Sequence, residues 1–423
     1  MEKNGYILDT LKPSHGVCLD DDHEALIEGK TTYPSYHFYH GTISELPLDK
    51  RFDYILLSLN SIDVQNIQEL FGQLHRFCHS RTRIIIESSS HLWQPAILFA
   101  QKLRLRRSTR FTNWFSPQDL HSFMYLTGYE LVREGRYMLL PFYIPIVSAF
   151  CNTFLSQLPI IKHLCLHNWF VARPVASNHN QKTTSVSVII PCKNERGTIE
   201  HAVRLCPEMG KKTELIFVDG HSTDGTMQEL ERVQKKYPHR HIHYFTQKGK
   251  GKGEAVRQGF LYASGDILII LDADLTVPPE ELTHFFNALI KGKGELINGS
   301  RLVYHMEGRA MGIPSMLANF FFSKALSWLL GQPLKDTLCG TKVLWKKDYE
   351  KIAQYRKSLC AFDPFGDFDL LFGANRLQLK ILDMPVHYKN RMYGSTNISR
   401  FKHGWVLCGM CVVALNRFRF WRL

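Results

Sequence analysis

The chain has 423 residues, 44% of them hydrophobic, and a formal charge of +13. That is ample apolar material for two or three buried cores, and no low-complexity tract or internal repeat interrupts it. The charge admits nucleic acid, an anionic membrane surface or an anionic substrate as partner, and its distribution along the chain decides among them.

The amino end, MEKNGYILDTLKP, lacks the apolar core of a secretory signal. Ten scattered cysteines, with only Cys408 and Cys411 close together, indicate neither zinc nor a disulfide framework. Reduced thiols and a cytoplasmic location are expected. Residues 1–174 read as one α/β unit. RFDYILLSL is a strand, Val64 to Cys78 a helix with periodic Ile67, Leu70, Phe71 and Leu74, and TRIIIES another strand. A capped helix and a further strand follow in WFSPQDLHSFMYLTGYELV. The apolar stretch Met138 to Phe154 contains Pro141, Pro145 and Ser148, which argues for a membrane-dipping or core-packing helix over a spanning one. Residues 175–184, polar from Asn178 to Thr184, read as a linker.

From Ser185 the pattern becomes strand, acidic turn, helix, repeated. Val186, Val188, Ile189 and Ile190 form a buried-strand run that Pro191 ends, with a ligand-facing loop expected at Cys192 to Arg196. Leu215 to Val218 leads into Asp219 at a strand's carboxyl end, where parallel sheets bind nucleotides, and Asp224 with Gly225 opens the next helix. A loop carrying Lys248, Lys250 and Lys252 among glycines precedes a helix, so backbone N–H and ammonium groups can meet anionic oxygens there. Ile267 to Leu271 ends in Asp272-Ala273-Asp274, and two carboxylates straddling one residue can share a hard cation, Mg²⁺ or Mn²⁺, that also takes diphosphate oxygens.

Gly308 to Gly331 gives an apolar, aromatic helix. The carboxyl end, residues 401–423, combines the apolar run Trp405 to Leu415 with Arg417, Arg419 and Arg422, and Arg400 stands just before it. That run is too short to span a bilayer; it reads as a helix lying in the interface of an anionic membrane, or equally as a buried terminal helix. KLRLRRSTR, Lys102 to Arg110, is a second basic cluster beside apolar residues. No nucleic-acid module is present, so membrane and anionic substrate are the expected partners.

The order of these motifs resembles the family 2 glycosyltransferases of the GT-A fold, from about Ser185 to about Asn397. DADL, GSR and RMYGST favour the dolichyl-phosphate mannose synthase branch, while Thr276 and Met311 depart from that branch's usual glutamine and arginine. The resemblance implies a donor pocket for a nucleotide diphosphate sugar built from Pro191, Asn194, Glu195, Asp219, Asp272 and Arg301, with metal held by Asp272 and Asp274. It further places Asp336, Gly340, Asp367, Asp369, Arg391, Gly394 and Thr396 in the family's order. Residues 1–174 resemble the later two-thirds of a class I S-adenosylmethionine methyltransferase, without its first strand and glycine-rich loop. Asp20 stands at the ribose acid's place, and Thr42 where an acid near adenine is usual. The expected fold is therefore α/β, a GT-A nucleotide-diphospho-sugar transferase domain over residues 185–400 preceded by a truncated Rossmann-like methyltransferase domain.

Inverting transfer needs a nucleophile on the face opposite the leaving diphosphate, and a carboxylate can deprotonate a hydroxyl acceptor there. Asp367 is the first choice and Asp369 the second, at the start of a helix after Pro364-Phe365-Gly366. An acceptor lipid phosphate arrives ionised and requires no base. Arg391, followed by Gly394, Ser395 and Thr396, suits a loop that closes over phosphate oxygens. The expected activity is metal-dependent sugar transfer to a membrane-associated acceptor. Methyl transfer by the amino-terminal unit, or a non-catalytic membrane-surface binding protein, are the alternatives.

Overall fold

The computed structural model describes residues 6–20, 22–47, 50–59, 66–103, 114–175, 179–304, 313–359, 366–394 and 400–415. The chain divides into two compact units. The first comprises Met1–Leu131, Gly135–Tyr143 and Lys162–Val175; the second comprises Val132–Glu134, Ile144–Ile161 and Ala176–Leu423.

In the first unit the strands are β1 (Val17–Asp20), β2 (His37–His40), β3 (Tyr54–Ser58), β4 (Arg83–Ser89), β5 (Tyr129–Tyr137) and β6 (His167–Pro174). They form two pieces. One is the parallel pair β1-β2, the other a four-stranded sheet in the order β3-β4-β6-β5, with β3 parallel and β6 antiparallel to β4. Ile84 and Ile86 of β4 point into a core shared with Phe71 and Leu74 from the helix Ile67–Leu74 and Leu120 and Met124 from the helix Pro117–Leu126. Ser116 and Asp119 form a capping box at the start of that second helix, where Pro117 costs no hydrogen bond.

The second unit carries β7 (Ser185–Cys192), β8 (Lys212–Asp219), β9 (His241–Thr246), β10 (Ile267–Ile270), β11 (Leu296–Ser300), β12 (Lys342–Trp345) and β13 (Ile381–Pro385). The sheet order is β13-β11-β12-β10-β7-β8-β9. β7, β8 and β10 read as unbroken apolar runs because helices cover both faces of the sheet. Val188 and Ile190 enter one core with Phe285 and Phe286, while Ile189 enters the other with Phe260 and Phe372. The chain winds from β7 outward through β8 and β9, then returns to lay β10 on the other side of β7. The sheet's switch point therefore lies between β7 and β10, and the crevice beyond their carboxyl ends is where such sheets take ligands. β12 runs antiparallel between β10 and β11, which the alternating strand and helix pattern does not announce.

Three stretches take forms that periodicity alone does not give. Met138 to Phe154 forms no long helix: Pro145 and a left-handed Ile146 (φ 65°) precede a single short one, Val147–Thr153, and residues Ile144–Ile161 group with the second unit despite their place in the sequence. The linker region is pinned where it is described. His179 N donates to Ile290 O, Asn180 caps the turn Gln181–Thr183, and Thr184 is buried. The carboxyl-terminal helix, Arg400–Leu415, buries Leu407, Met410 and Ala414 against the core and packs on the helix Ile313–Leu330, leaving only its other face open. Arg417, Arg419, Arg422, Met311 and most of the basic run Lys102 to Arg110 lie outside the described residues.

Candidate active site

The two turns at the ends of β7 and β8 are laced together. Asn194, held in the left-handed region (φ 57°), donates its backbone N–H to Ser222 Oγ at 2.8 Å and accepts the Thr223 N–H on its Oδ1 at 2.8 Å. Glu195 N donates to Thr226 Oγ1, whose hydroxyl in turn donates to Asp224 Oδ1. Asp219, at the carboxyl end of β8, accepts the Ser222 N–H on Oδ2, while its buried Oδ1 has no hydrogen-bond partner. Pro191 lies half-buried on β7 beside Val218. A rigid acidic shelf results, with one oxygen of Asp219 and the Oε2 of Glu195 buried and unmatched. Unmatched buried oxygens are costly unless a ligand supplies donors.

Asp272 and Asp274 follow β10 at the other side of the switch point. Asp274 accepts two hydrogen bonds from Thr276 on Oδ1, at 3.2 and 2.9 Å, and one from Arg391 on Oδ2 at 2.9 Å. The second terminal nitrogen of Arg391 lies 3.2 Å from Glu195 Oε1, so a single guanidinium bridges the two turns. Burial pushes the Glu195 carboxyl up to about 7; Arg391 opposes that rise and Asp274 adds to it.

Asp272 pairs with Lys252 at 2.6 Å. Lys252 is the first residue of the helix Lys252–Tyr262, entered through Gly251 at φ 92°. Burial alone would lower the Lys252 ammonium, but Asp272 and then Asp367 hold it well above an ordinary lysine. Burial would likewise raise Asp272, and Lys252 overrides it to hold the carboxyl below its usual range. Gly340 passes so close that a Cβ there would run into both the Asp272 carboxylate and the Lys252 ammonium, which explains a glycine at that position.

Asp367 begins the helix Asp367–Arg376, after Gly366 at φ 78°. It is buried, with Oδ1 at 3.2 Å from Lys342 Nζ. That Oδ1 receives no hydrogen bond, and Lys342 also donates to Cys339 O at 2.6 Å. Lys342 was not anticipated. Its only trace in the sequence is a lysine opening the apolar strand KVLW after DTLCGT.

Two expected site residues have ion-pair partners of their own. Arg301, expected at the donor, gives its Nε and a terminal nitrogen to fully buried Asp336 at 2.7 and 2.9 Å. Asp369, the second choice for a base, accepts from Arg356 Nε at 2.5 Å, so its charge is neutralised on the far side of its helix from Asp367's lysine. Gly394 (φ 72°) comes back to Asn194: a Cβ there would sit 3.4 Å from Asn194 O. Thr396, Ser395, Pro364 and Phe365 lie outside the described residues. Neither Lys248 nor Lys250 joins these ion pairs. An open cavity of about 590 Å³, lined by Arg196, His201, Arg204 and Tyr393 among others, lies beside the Arg391 segment and not over the acidic pair.

Among the described residues no group of three or more His, Cys, Asp or Glu side chains is placed to hold a metal. Two carboxylates on one turn still suit a hard cation that keeps water and takes substrate phosphate oxygens, the usual manner of Mg²⁺ at diphosphates. The donors here are all oxygen, which agrees with that chemistry and excludes a thiolate or imidazole site at this turn.

Residues 187–353, the segment that builds most of this site, match the model of the family described as Glycosyl transferase family 2. The dolichol-phosphate mannosyltransferase of Pyrococcus furiosus is 38% identical over 120 residues, which are 28% of this chain and 33% of that protein. The undecaprenyl-phosphate 4-deoxy-4-formamido-L-arabinose transferase of Proteus mirabilis is 26% identical over 226 residues, 52% of this chain and 65% of that one. The chain thus spans between a third and just under two thirds of these relatives' lengths. A glucosyl-3-phosphoglycerate synthase structure from Mycobacterium tuberculosis aligns with a TM-score of 0.41 at 21% identity, over 55% of this chain and 79% of that one.

Proposed function

We propose that the protein is an inverting, metal-dependent glycosyltransferase that moves a hexose-like sugar from a nucleotide diphosphate to a membrane-associated acceptor, either a polyprenyl phosphate or a hydroxyl of a glycolipid or polysaccharide. One observation carries this reading: Asp272, Asp274, Lys252, Arg391 and Glu195 meet at the switch point of a mostly parallel sheet, with Asp219 on the adjoining strand end. The relatives named for transfer to dolichol phosphate and undecaprenyl phosphate support the acceptor class.

In this reading the unmatched oxygens of Asp219 and Glu195 receive the N–H and O–H donors of the base and ribose. Mg²⁺ or Mn²⁺ held by Asp272 and Asp274 would supply Lewis-acid stabilisation of the departing diphosphate. Lys252 and Arg391 add positive charge at the same place, fixed in advance by their carboxylate partners. The segment through Gly394 then shields the phosphates from water. Asp367 stands across from Lys252 with an oxygen that accepts no hydrogen bond, the position for taking a proton from a hydroxyl acceptor or for orienting an ionised one.

We read residues 1–174 as a methyltransferase-like scaffold, a reading supported by the antiparallel β6 between β4 and β5, with β1-β2 as a separate parallel pair. Thr42, Glu45 and Ser44 bond to one another, which leaves no acid presented at that turn for an adenine. Peripheral attachment at the cytoplasmic face of a membrane completes the reading; among the described residues no helix is long and apolar enough to cross one.

The deciding experiment is a screen of nucleotide sugars for metal-dependent diphosphate release with and without polyprenyl phosphate. Release that requires metal and rises with the lipid is expected. Absence of turnover with every donor and acceptor, despite nucleotide binding, would point to the binding-protein alternative, and S-adenosylmethionine binding by the full chain would reopen methyl transfer.

A further inference from the structure

The segment Ile144–Ile160 combines an apolar sequence with high exposure. From Met138 to Ile161 the sequence contains no Asp, Glu, Lys or Arg, and it is bracketed by Arg136 and Lys162. Such a stretch would ordinarily be buried, yet Ile146 is 85% and Ile160 86% exposed, with Val147, Phe150 and Leu158 also open. The backbone makes this exposure harder to dismiss. Ile146 sits at φ 65°, ψ −47°, closed by a 2.7 Å hydrogen bond from Val147 N to Pro145 O, a γ-turn of the uncommon hand. A β-branched residue is disfavoured there by roughly 1–3 kcal/mol. Asn, Asp or Gly would relieve the strain and suit water; the chain places isoleucine at the tip instead.

The segment is also firmly seated. Ser148 is buried and accepts the Ile144 N–H on its Oγ at 2.6 Å, and Trp328 Nε1 donates to Gln157 O at 2.8 Å, tying it to the helix Ile313–Leu330. That helix exposes Met316, Leu317, Phe320 and Phe321 along one face, with Lys324 as its only charge. The helix Arg400–Leu415, packed against it, exposes Trp405, Val412 and Val413 and carries only cations. None of the three segments contains a carboxylate.

We propose that Ile144–Ile160 is a monotopic wedge that inserts into the interfacial layer of an anionic bilayer and so seats the transferase unit. Apolar tips flanked by cations, with aromatic residues between and no acid in any of the three segments, match the chemistry of the acyl–headgroup boundary of an anionic leaflet. A protein partner or a second copy of so acid-free a surface would have to supply every compensating charge from elsewhere. The proposal rests on the membrane-acceptor reading for its purpose, but it is tested without donor or acceptor, so the two can fail separately.

The test is sedimentation of the full chain with vesicles of phosphatidylcholine containing phosphatidylglycerol, comparing parent with Ile146→Asp and Ile160→Asp. Both side chains are exposed, so folding should persist, as far-UV circular dichroism and thermal unfolding would verify. Each variant is expected to lose about tenfold or more in partition, the amount that removing a buried apolar tip and inserting a charge implies. Hydrogen exchange on the unaltered chain should show residues 144–160 gaining protection when vesicles are added. Unchanged partition in both folded variants, or no added protection, would overturn the proposal. So would a parent dimer that the variants convert to monomer without any loss of vesicle binding, which would assign the face to a second copy.

Discussion

Two acid–cation clusters lie in the second unit, and they are built to opposite ends. Around Asp336 every charge is closed. Both carboxylate oxygens are taken by Arg301 side-chain and backbone N–H groups, by Asn319 and by Leu338 N, and the aspartate has no exposure at all. Around Asp272 and Asp274 the same residue types are left incomplete. Lys252 and Arg391 hold the pair from its flanks, and buried oxygens of Asp219, Glu195 and Asp367 accept nothing. A satisfied cluster stabilises a fold, whereas one with unmatched acceptors stores recognition for something that is not protein. Substitutions should therefore split, the first cluster losing stability and the second losing turnover.

The largest effect is expected from Asp274→Asn. It removes one of the two charges proposed to hold the metal and weakens the Arg391 bridge, so diphosphate release should fall on the order of 10³-fold or more, about 4 kcal/mol. The folded state should be little changed, because asparagine keeps an oxygen for the two Thr276 donors and only the Arg391 contact is weakened. Donor-dependent release assayed across metal concentrations checks this; near-parental turnover, or loss of the fold in place of turnover, would erase the distinction between the clusters.

Next comes Asp336→Asn. Leaving the buried Arg301 unpaired should cost about 3–5 kcal/mol of unfolding free energy, seen in urea titration. Burial would raise Asp336, but Arg301 holds it near 2, below its unfolded value of about 3.9. The stabilisation is thus complete above pH 4 and disappears as pH falls through about 2, and the variant should lack that acid limb. A variant as stable as its parent would show that the closed cluster is not structural.

Arg391→Ala should lower turnover about 10²-fold, since one cation near the leaving charge is lost while Lys252 remains. Lysine should not restore it. One ammonium cannot reach Glu195 and Asp274 as the guanidinium's two nitrogens do. Full rescue by lysine would reduce Arg391 to a point charge.

The contrast also explains what the sequence could and could not disclose. Asp219 and the Asp272–Asp274 pair were legible because their signal is local: an apolar strand run, then an acid where the strand must stop. Arg301, just after β11, enters the expected donor pocket only through the family resemblance. Its partner Asp336 lies in a loop 35 residues later, and no local pattern marks which arginine is closed and which is open. Lys342 escaped notice because a lysine opening an apolar strand reads as an edge residue, whereas β12 runs inside the sheet and carries it fully buried beside Asp367. The antiparallel insertion of β12 and the return of Ile144–Ile161 to the second unit are choices of tertiary packing, to which periodicity is blind.

The smallest effect expected sharpens the comparison through proton binding. Glu195 is the acid at which the open cluster's incompleteness shows as a titration: burial lifts it to about 7 against an unfolded value near 4.3. For a carboxyl raised in this way the folded protein prefers the protonated form. Its stability is therefore highest below about pH 4.3 and declines as pH rises to about 7, then levels. The full shift would amount to about 4 kcal/mol, but Arg391 beside it is partly open to solvent, and roughly 1 kcal/mol is the expected decline. Glu195→Gln, neutral at every pH, should flatten that slope in urea unfolding between pH 5 and pH 7.5 without donor or metal. An identical slope in parent and variant would mean that Glu195 is ionised throughout and already satisfied by Arg391, and the open cluster would then resemble the closed one more than its unmatched oxygens indicate.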